Sequence, residues 1–233
     1  MHRPTFALLA LSSIACGPEG SVEPATTTAT APSGDWMDTV RGRIAAGEYA
    51  LRELGDGRLA FANRAHDLRA VLAHDGMQVV PRSGEGWTLG VRTRAVSGYA
   101  MDRGPARPGS CFGDQVDERG ACLRRTEQVL GSGVVEWWAN SPSGLEQGWT
   151  LTRGAEGSTT IGIEVDIDGF DVVVTEPTEA VLVNGAVEIA YRGLFAKDTE
   201  GRSLDTWLEP TDEGLRVVVD TEGASFPVEV DPL

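Results

Sequence analysis

No glycine-rich phosphate loop, Gly-x-Ser-x-Gly elbow or His-Glu-x-x-His motif occurs in this chain, and its 29 glycines are scattered at turns. The common signatures of phosphate binding, serine hydrolysis and zinc proteolysis are therefore missing. Positive charge is scarce as well: Lys and Arg number 20 against 35 Asp and Glu, for a net charge of −15. Such a surface repels phosphate backbones and anionic headgroups, which argues against nucleic acid as a partner. With the acid spread along the chain, its plain meaning is solubility. Strands do not alternate with helices, so a nucleotide-binding α/β fold is excluded too. Cysteines and histidines number three each, too few and too scattered for a zinc site.

The longest apolar run at the start, Phe6 to Ile14, follows a short basic segment at His2 and Arg3 and precedes small residues up to Cys16. It is too short to span a bilayer and reads as an export signal over residues 1–16. Its Ala15-Cys16 end resembles a bacterial lipobox, in which the cysteine is diacylated and anchors the chain to the outer membrane. Ser13 stands where an aliphatic residue is usual, so ordinary cleavage at the same bond, leaving Cys16 free, is the alternative. Residues 17–34 are rich in Thr, Pro and Ala, have almost nothing apolar to bury, and read as a disordered tether. In an oxidising compartment Cys111 and Cys122 can pair. Closing that polar loop would stabilise the fold by roughly 3 kcal/mol in the chain-entropy view.

Residues 35–233 are long enough for one domain with a sizeable core. Asp35 or Ser33 can cap a helix over about 35–46, whose Trp36, Val40 and Ile44 form one apolar stripe expected to dock on the body. Beyond it the pattern is period two, in short runs such as "RLAFAN", "MQVVP", "TTIGIEV" and "LRVVVD". Turn signals including Asp168-Gly169 and Asn184-Gly185 separate them. The expectation is an all-β fold, an antiparallel β-sandwich with one short N-terminal α-helix.

The segment "EWWANSPSGLEQGWTL" (136–151) concentrates three tryptophans, two glutamates, an Asn and a Gln around a turn. Taking "NSPSG" as a five-residue loop pairs Ala139 with Leu145. Val135, Trp137, Leu145, Gln147, Trp149 and Leu151 then share a core face, with an indole N–H as a candidate partner for the buried Gln147 amide. Glu136, Trp138 and Glu146 fall on the opposite face, where an indole beside carboxylates could stack on a sugar. The two glutamates meet the two-carboxylate requirement of a glycosidase only loosely.

In "EVDIDGFD", Glu164, Asp166 and Asp168 recur at alternate positions and could bind calcium, although the EF-hand pattern is not met. The same spacing describes a solvated strand face. His66 and His74 each precede an Asp, but neighbours on a strand point apart, so both read as surface or hydrogen-bonded residues.

"FANRAHDLRAVLAHDGMQVVPR", "GWTLGVR", the 136–151 segment and the closing run "GLFAKDTEGRSLDTWLEPTDEGLRVVVDTEGASFPVEVDPL" together resemble an N-terminal β-domain of secreted myxobacterial-type proteins. In that family the domain precedes FG-GAP, kelch or other β-repeat arrays, which here would begin after "DPL". The resemblance spans most of residues 35–233 and implies no assigned activity and no catalytic residue. Asn63-Arg64 matches its pattern, and Arg64 is expected to pair with a carboxylate at the edge of the core. Composition, motifs and resemblance converge on a non-catalytic exported module of the cell envelope, structural or adhesive, with no cofactor. Its alternatives are a carbohydrate-binding module using Trp138 and a calcium-dependent surface protein. An extracellular glycan or protein would be its partner, and the oligomeric state is left open.

Overall fold

A computed structural model describes residues 36–40, 47–83, 86–109 and 124–231. Cys16, the tether, Cys111 and Cys122 lie outside the described residues, and so do the readings placed on them. The described chain is almost entirely antiparallel sheet. One sheet runs, edge to edge, through β1 (Arg52–Glu53), β2 (Leu59–Asn63), β3 (Leu68–Ala73), β4 (Gly76–Pro81), β5 (Leu89–Val96), β10 (Thr160–Asp168), β17 (Gly214–Asp220) and β16 (Thr206–Thr211). The other runs through β15 (Ser203–Leu204), β14 (Phe195–Lys197), β18 (Val228–Asp231), β9 (Gly144–Leu151), β8 (Val134–Ser141), β7 (Arg125–Gly131) and β6 (Ala106–Pro108). A small third sheet holds β11 (Asp171–Glu176), β12 (Glu179–Asn184) and β13 (Val187–Tyr191).

Period two explains the layers. In β2 Leu59 and Phe61 point inward with Asn63, in β10 Ile161, Ile163 and Val165 do, and in β17 Leu215, Val217 and Val219 do. They meet Val134, Trp149, Leu151, Val228 and Val230 of the facing sheet in one continuous core. Each such aliphatic side chain, fully buried, contributes about 1.5–3 kcal/mol of transfer free energy. Two tight turns follow the sequence signals: Gly169 and Gly185 take positive φ, 84° and 61°. A side chain at Gly169 would also meet the Thr88 carbonyl oxygen at 2.2 Å.

Polar residues stitch the sheets as well. Asn63 Nδ2 donates to Asn140 Oδ1 at 2.9 Å and to the Ser141 carbonyl at 2.8 Å, while Asn140 Nδ2 donates to the Ala62 carbonyl at 3.0 Å. Asp198 accepts backbone N–H groups from Glu200, Arg202 and Ser225, which ties the loop after β14 to the approach to β18. Residues 36–40 are helical, as the pattern predicts, but Trp36 is 53% exposed, so the stripe is not buried at that end. Ile44 lies outside the described residues.

Candidate functional site

The β8–β9 hairpin is shifted by one residue from its expected pairing. Asn140 pairs with Leu145, Ala139 with Glu146, Trp138 with Gln147 and Glu136 with Trp149. The connection is Pro142-Ser143 alone, because Ser141 already pairs with Gly144. Proline pre-sets the φ angle of a tight turn, and the Ser143 N–H donates to Ser141 Oγ at 3.1 Å. A one-residue slip in a strand exchanges its two faces. The expected core face of β9 is found (Leu145, Gln147, Trp149, Leu151), whereas that of β8 is inverted. Glu136 is 1% exposed and Trp138 4%, so neither offers a surface platform for a sugar.

Turned inward, Glu136 becomes the centre of a polar cluster between the sheets. Its Oε1 accepts from Thr93 Oγ1 at 2.7 Å and from Gln147 Nε2 at 2.8 Å. Arg103 Nη1 lies 3.4 Å from Oε2 and donates to Gln128 Oε1 at 2.8 Å, while Arg103 Nη2 donates to the Thr93 carbonyl at 2.5 Å. Trp149 Nε1 donates to Thr93 Oγ1 at 2.9 Å, and the Tyr191 hydroxyl to Gln147 Oε1 at 3.3 Å. Gln147 thus finds Glu136 and Tyr191, not an indole. Burial and the nearby Glu136 charge push the Tyr191 hydroxyl pKa well above its ordinary value. Thr93, Gln147 and Arg103 all donate to the carboxylate, which suits a structural group better than a proton-transfer one.

On the outer face of the same sheet, Trp137 lies flat over Gly148, where a Cβ would meet its ring at 2.1 Å. The Arg125 guanidinium sits over that ring, 4.2 Å from its centroid. Glu146 is on this face too, but its partner is neither Trp138 nor Glu136. The Glu146 carboxyl instead neighbours Asp231 of β18, whose Oδ1 is buried with no partner among the described residues. Burial first, and then the Glu146 carboxyl, push the Asp231 pKa up to about 7, against the opposing pull of Lys197.

The acidic face of β10 is paired rather than open. Asp166, itself buried, is held by Arg92 at 2.5 Å and Arg94 at 2.8 Å. Glu164 meets Arg216 at 2.5 Å and Arg94 at 3.5 Å. Asp168 is exposed at the end of the strand. Arginines from the flanking strands pair with Asp166 and Glu164, and among the described residues no group of three or more metal-ligating side chains converges. Of the three carboxylates named as calcium candidates, Asp166 and Glu164 are thus engaged by arginines, and Asp168 stands apart at the strand end. Arg64 does pair with a carboxylate, Glu48, at 2.6 Å. His66 is exposed, with Nε2 3.1 Å from the Pro142 carbonyl, and His74 offers its carbonyl to Gln128.

Farther along the outer face of the first sheet, Trp207 Nε1 donates to Glu209 Oε1 at 2.9 Å, and Arg216 Nη1 lies 3.2 Å from Glu209 Oε2. With Ser97, Thr160 and Glu164 these residues line an open groove of about 600 Å³. Sequence reasoning missed Thr93, Arg103, Asp231 and Trp207. Only Thr93 left a signal, as the polar member of the inward series Leu89, Val91, Thr93. Comparison of the chain with family models, with curated proteins and with solved structures finds no match.

Proposed function

We propose that this chain is a non-catalytic β-sandwich module of the bacterial cell envelope, structural or adhesive in role, exported and held at the outer membrane by lipid on Cys16. The observation that carries this reading is that its buried acids Glu136 and Asp166 are engaged by partners from the protein itself. Glu136 accepts from Thr93 and Gln147 in the core, and Asp166 and Glu164 are matched by arginines on the surface. A hydrolase keeps an acid or base facing its substrate; here the most buried acid faces the opposite sheet. Turnover on a broad glycoside and peptide panel, lost in Glu146→Ala or Asp231→Ala, would overturn the reading; no turnover is expected. The anchor is checked separately, by incorporation of labelled palmitate and its loss in Cys16→Ala.

A second reading, glycan binding, is favoured by the groove at Trp207 rather than by Trp138. An indole flanked by Glu209, Glu164, Arg216 and hydroxyl residues offers both an apolar ring and polar partners for sugar hydroxyls. A glycan array probed with the full chain and with Trp207→Ala tests it. Hits that disappear in the variant support this reading, and an empty array removes it.

A further inference from the structure

The open groove on the first sheet is built from an apolar row beside a charged one. Strand register places Trp207 of β16 beside Val218 of β17, and Val218 beside Gly162 of β10. Two residues along the same strands, and so on the same face, Glu209 pairs with Arg216 and Arg216 with Glu164. The absent side chain of Gly162 leaves space for Arg216, whose Cδ a Cβ there would meet at 3.2 Å. Ala155, Glu156 and Ser158, from the loop between β9 and β10, also line the groove.

The polar groups of this groove are unequally spent. Trp207 Nε1 donates to Glu209, and Arg216 donates to the same carboxylate, so the half-buried indole is held by its polar edge. Arg216 is the one cation among the described residues of the lining, and both Glu164 and Glu209 engage it. That leaves no uncommitted cation for an anionic ligand. Glu156 is the reverse case: it is exposed, and its carboxylate has no ion pair or hydrogen bond among the described residues.

We infer that the groove takes a disaccharide-sized glycan bearing a free amine, with one sugar ring on Trp207 and the protonated nitrogen met by Glu156. This rests on the glycan-binding reading of the groove and narrows it to one chemical class. A sugar ring has an apolar C–H face and a polar edge, which the two rows of the sheet match. The groove is about 600 Å³; at the ~30 Å³ that a water occupies in the liquid, that is room for about twenty heavy atoms, a disaccharide. The charge of the ligand follows from the lining. A uronic acid or sulfated sugar would meet three glutamates and one guanidinium already engaged, on a chain of net charge −15. A protonated amine is attracted by the same field, and its charge-assisted hydrogen bond to Glu156 is stronger than that of a neutral hydroxyl.

The test titrates the full chain with the glucosamine dimer and with its N-acetylated form at about pH 6, where free amines are protonated. Calorimetry is expected to show saturable one-site binding of the amine form and roughly tenfold weaker binding of the acetylated one. Glu156→Gln should shrink that gap to about twofold or less, and Trp207→Ala should weaken both sugars by roughly tenfold or more. If the two forms bind alike, or the gap persists in Glu156→Gln, the amine assignment is overturned while glycan binding stands. If neither sugar binds, the inference falls, and the glycan array decides the broader reading separately. Dilysine binding as tightly as the amine sugar, or amine-sugar binding that survives Trp207→Ala, also overturns it, since the attraction is then to the acidic surface alone. Where Trp207→Ala does not fold, Glu156→Gln decides, because that side chain is exposed on a loop.

Discussion

The Thr93 hydroxyl, at the middle of one sheet, donates to the Glu136 carboxylate of the facing sheet at 2.7 Å and accepts the Trp149 indole N–H at 2.9 Å. That hydroxyl is a relay, and its two bonds have opposite sense. Glu136→Ala removes the acceptor shared by Thr93 and Gln147 and leaves the Arg103 guanidinium without its carboxylate. Losing one partner of a buried charged pair costs about 3–5 kcal/mol. Glu136→Gln keeps an acceptor oxygen and should cost about 1–2 kcal/mol. Urea unfolding at neutral pH measures both. Thr93→Val combined with Glu136→Ala should cost less than the two single changes added, because the same bond is removed twice.

The fold class was legible and this cluster was not, for a physical reason. Alternation in β10 is unambiguous because Ile161, Ile163, Val165 and Ile167 fall on one parity and Thr160, Glu164, Asp166 and Asp168 on the other. In β8 the run Val-Val-Glu-Trp-Trp-Ala-Asn carries large apolar residues on both parities. Composition therefore cannot say which parity faces the core. Turn length decides it, and one residue more in the loop would have turned Glu136 outward. Thr93 and Asp231 come from strands remote in sequence, and a single chain gives no sign that they meet Glu136 and Glu146.

Gly148 is small because Trp137 lies on it. In Gly148→Ala the added methyl would stand 2.1 Å from the indole ring, a separation that forces the ring away. Overpacking of this kind costs about 1–3 kcal/mol, and the displaced ring would also lose the Arg125 guanidinium stacked over it. The expected result is a lower melting temperature together with a red-shifted tryptophan emission. The same substitution in Trp137→Ala should cost much less than in the unaltered chain, since the obstructing ring is then absent.

Asp166 is the acid of the β10 face with the most to lose. Its partners Arg92 and Arg94 are about half exposed, so water receives them when the carboxylate is removed. Asp166→Asn should therefore cost about 1–2 kcal/mol, between the values for surface and buried pairs. Millimolar calcium should leave the melting temperature of the unaltered protein unchanged, because the arginines already neutralise this face. A rise in melting temperature with calcium that Asp166→Asn abolishes would show that the cation displaces them.

Asp231 neighbours Glu146 on the outer face of the second sheet, and burial together with that carboxyl pushes its pKa up to about 7 in the folded chain against ~4 for a carboxyl in an unfolded one. Because the folded value is the higher, the folded state binds the proton more tightly. The stabilisation is complete below about pH 4 and is lost as pH rises through 7. Melting temperature should accordingly fall between pH 5 and pH 8. Asp231→Asn supplies a permanently neutral group beside Glu146, so it should flatten that fall and raise the melting temperature at pH 8. Glu146→Gln takes away the neighbouring negative charge and should move the Asp231 titration down toward the ordinary carboxylate range, which carbon-13 NMR of the Asp231 carboxyl reads directly. Burial, the larger cause of the shift, remains in that variant, so the return should be partial. A stability profile equally steep in Asp231→Asn and in the unaltered protein would assign the pH dependence to other groups.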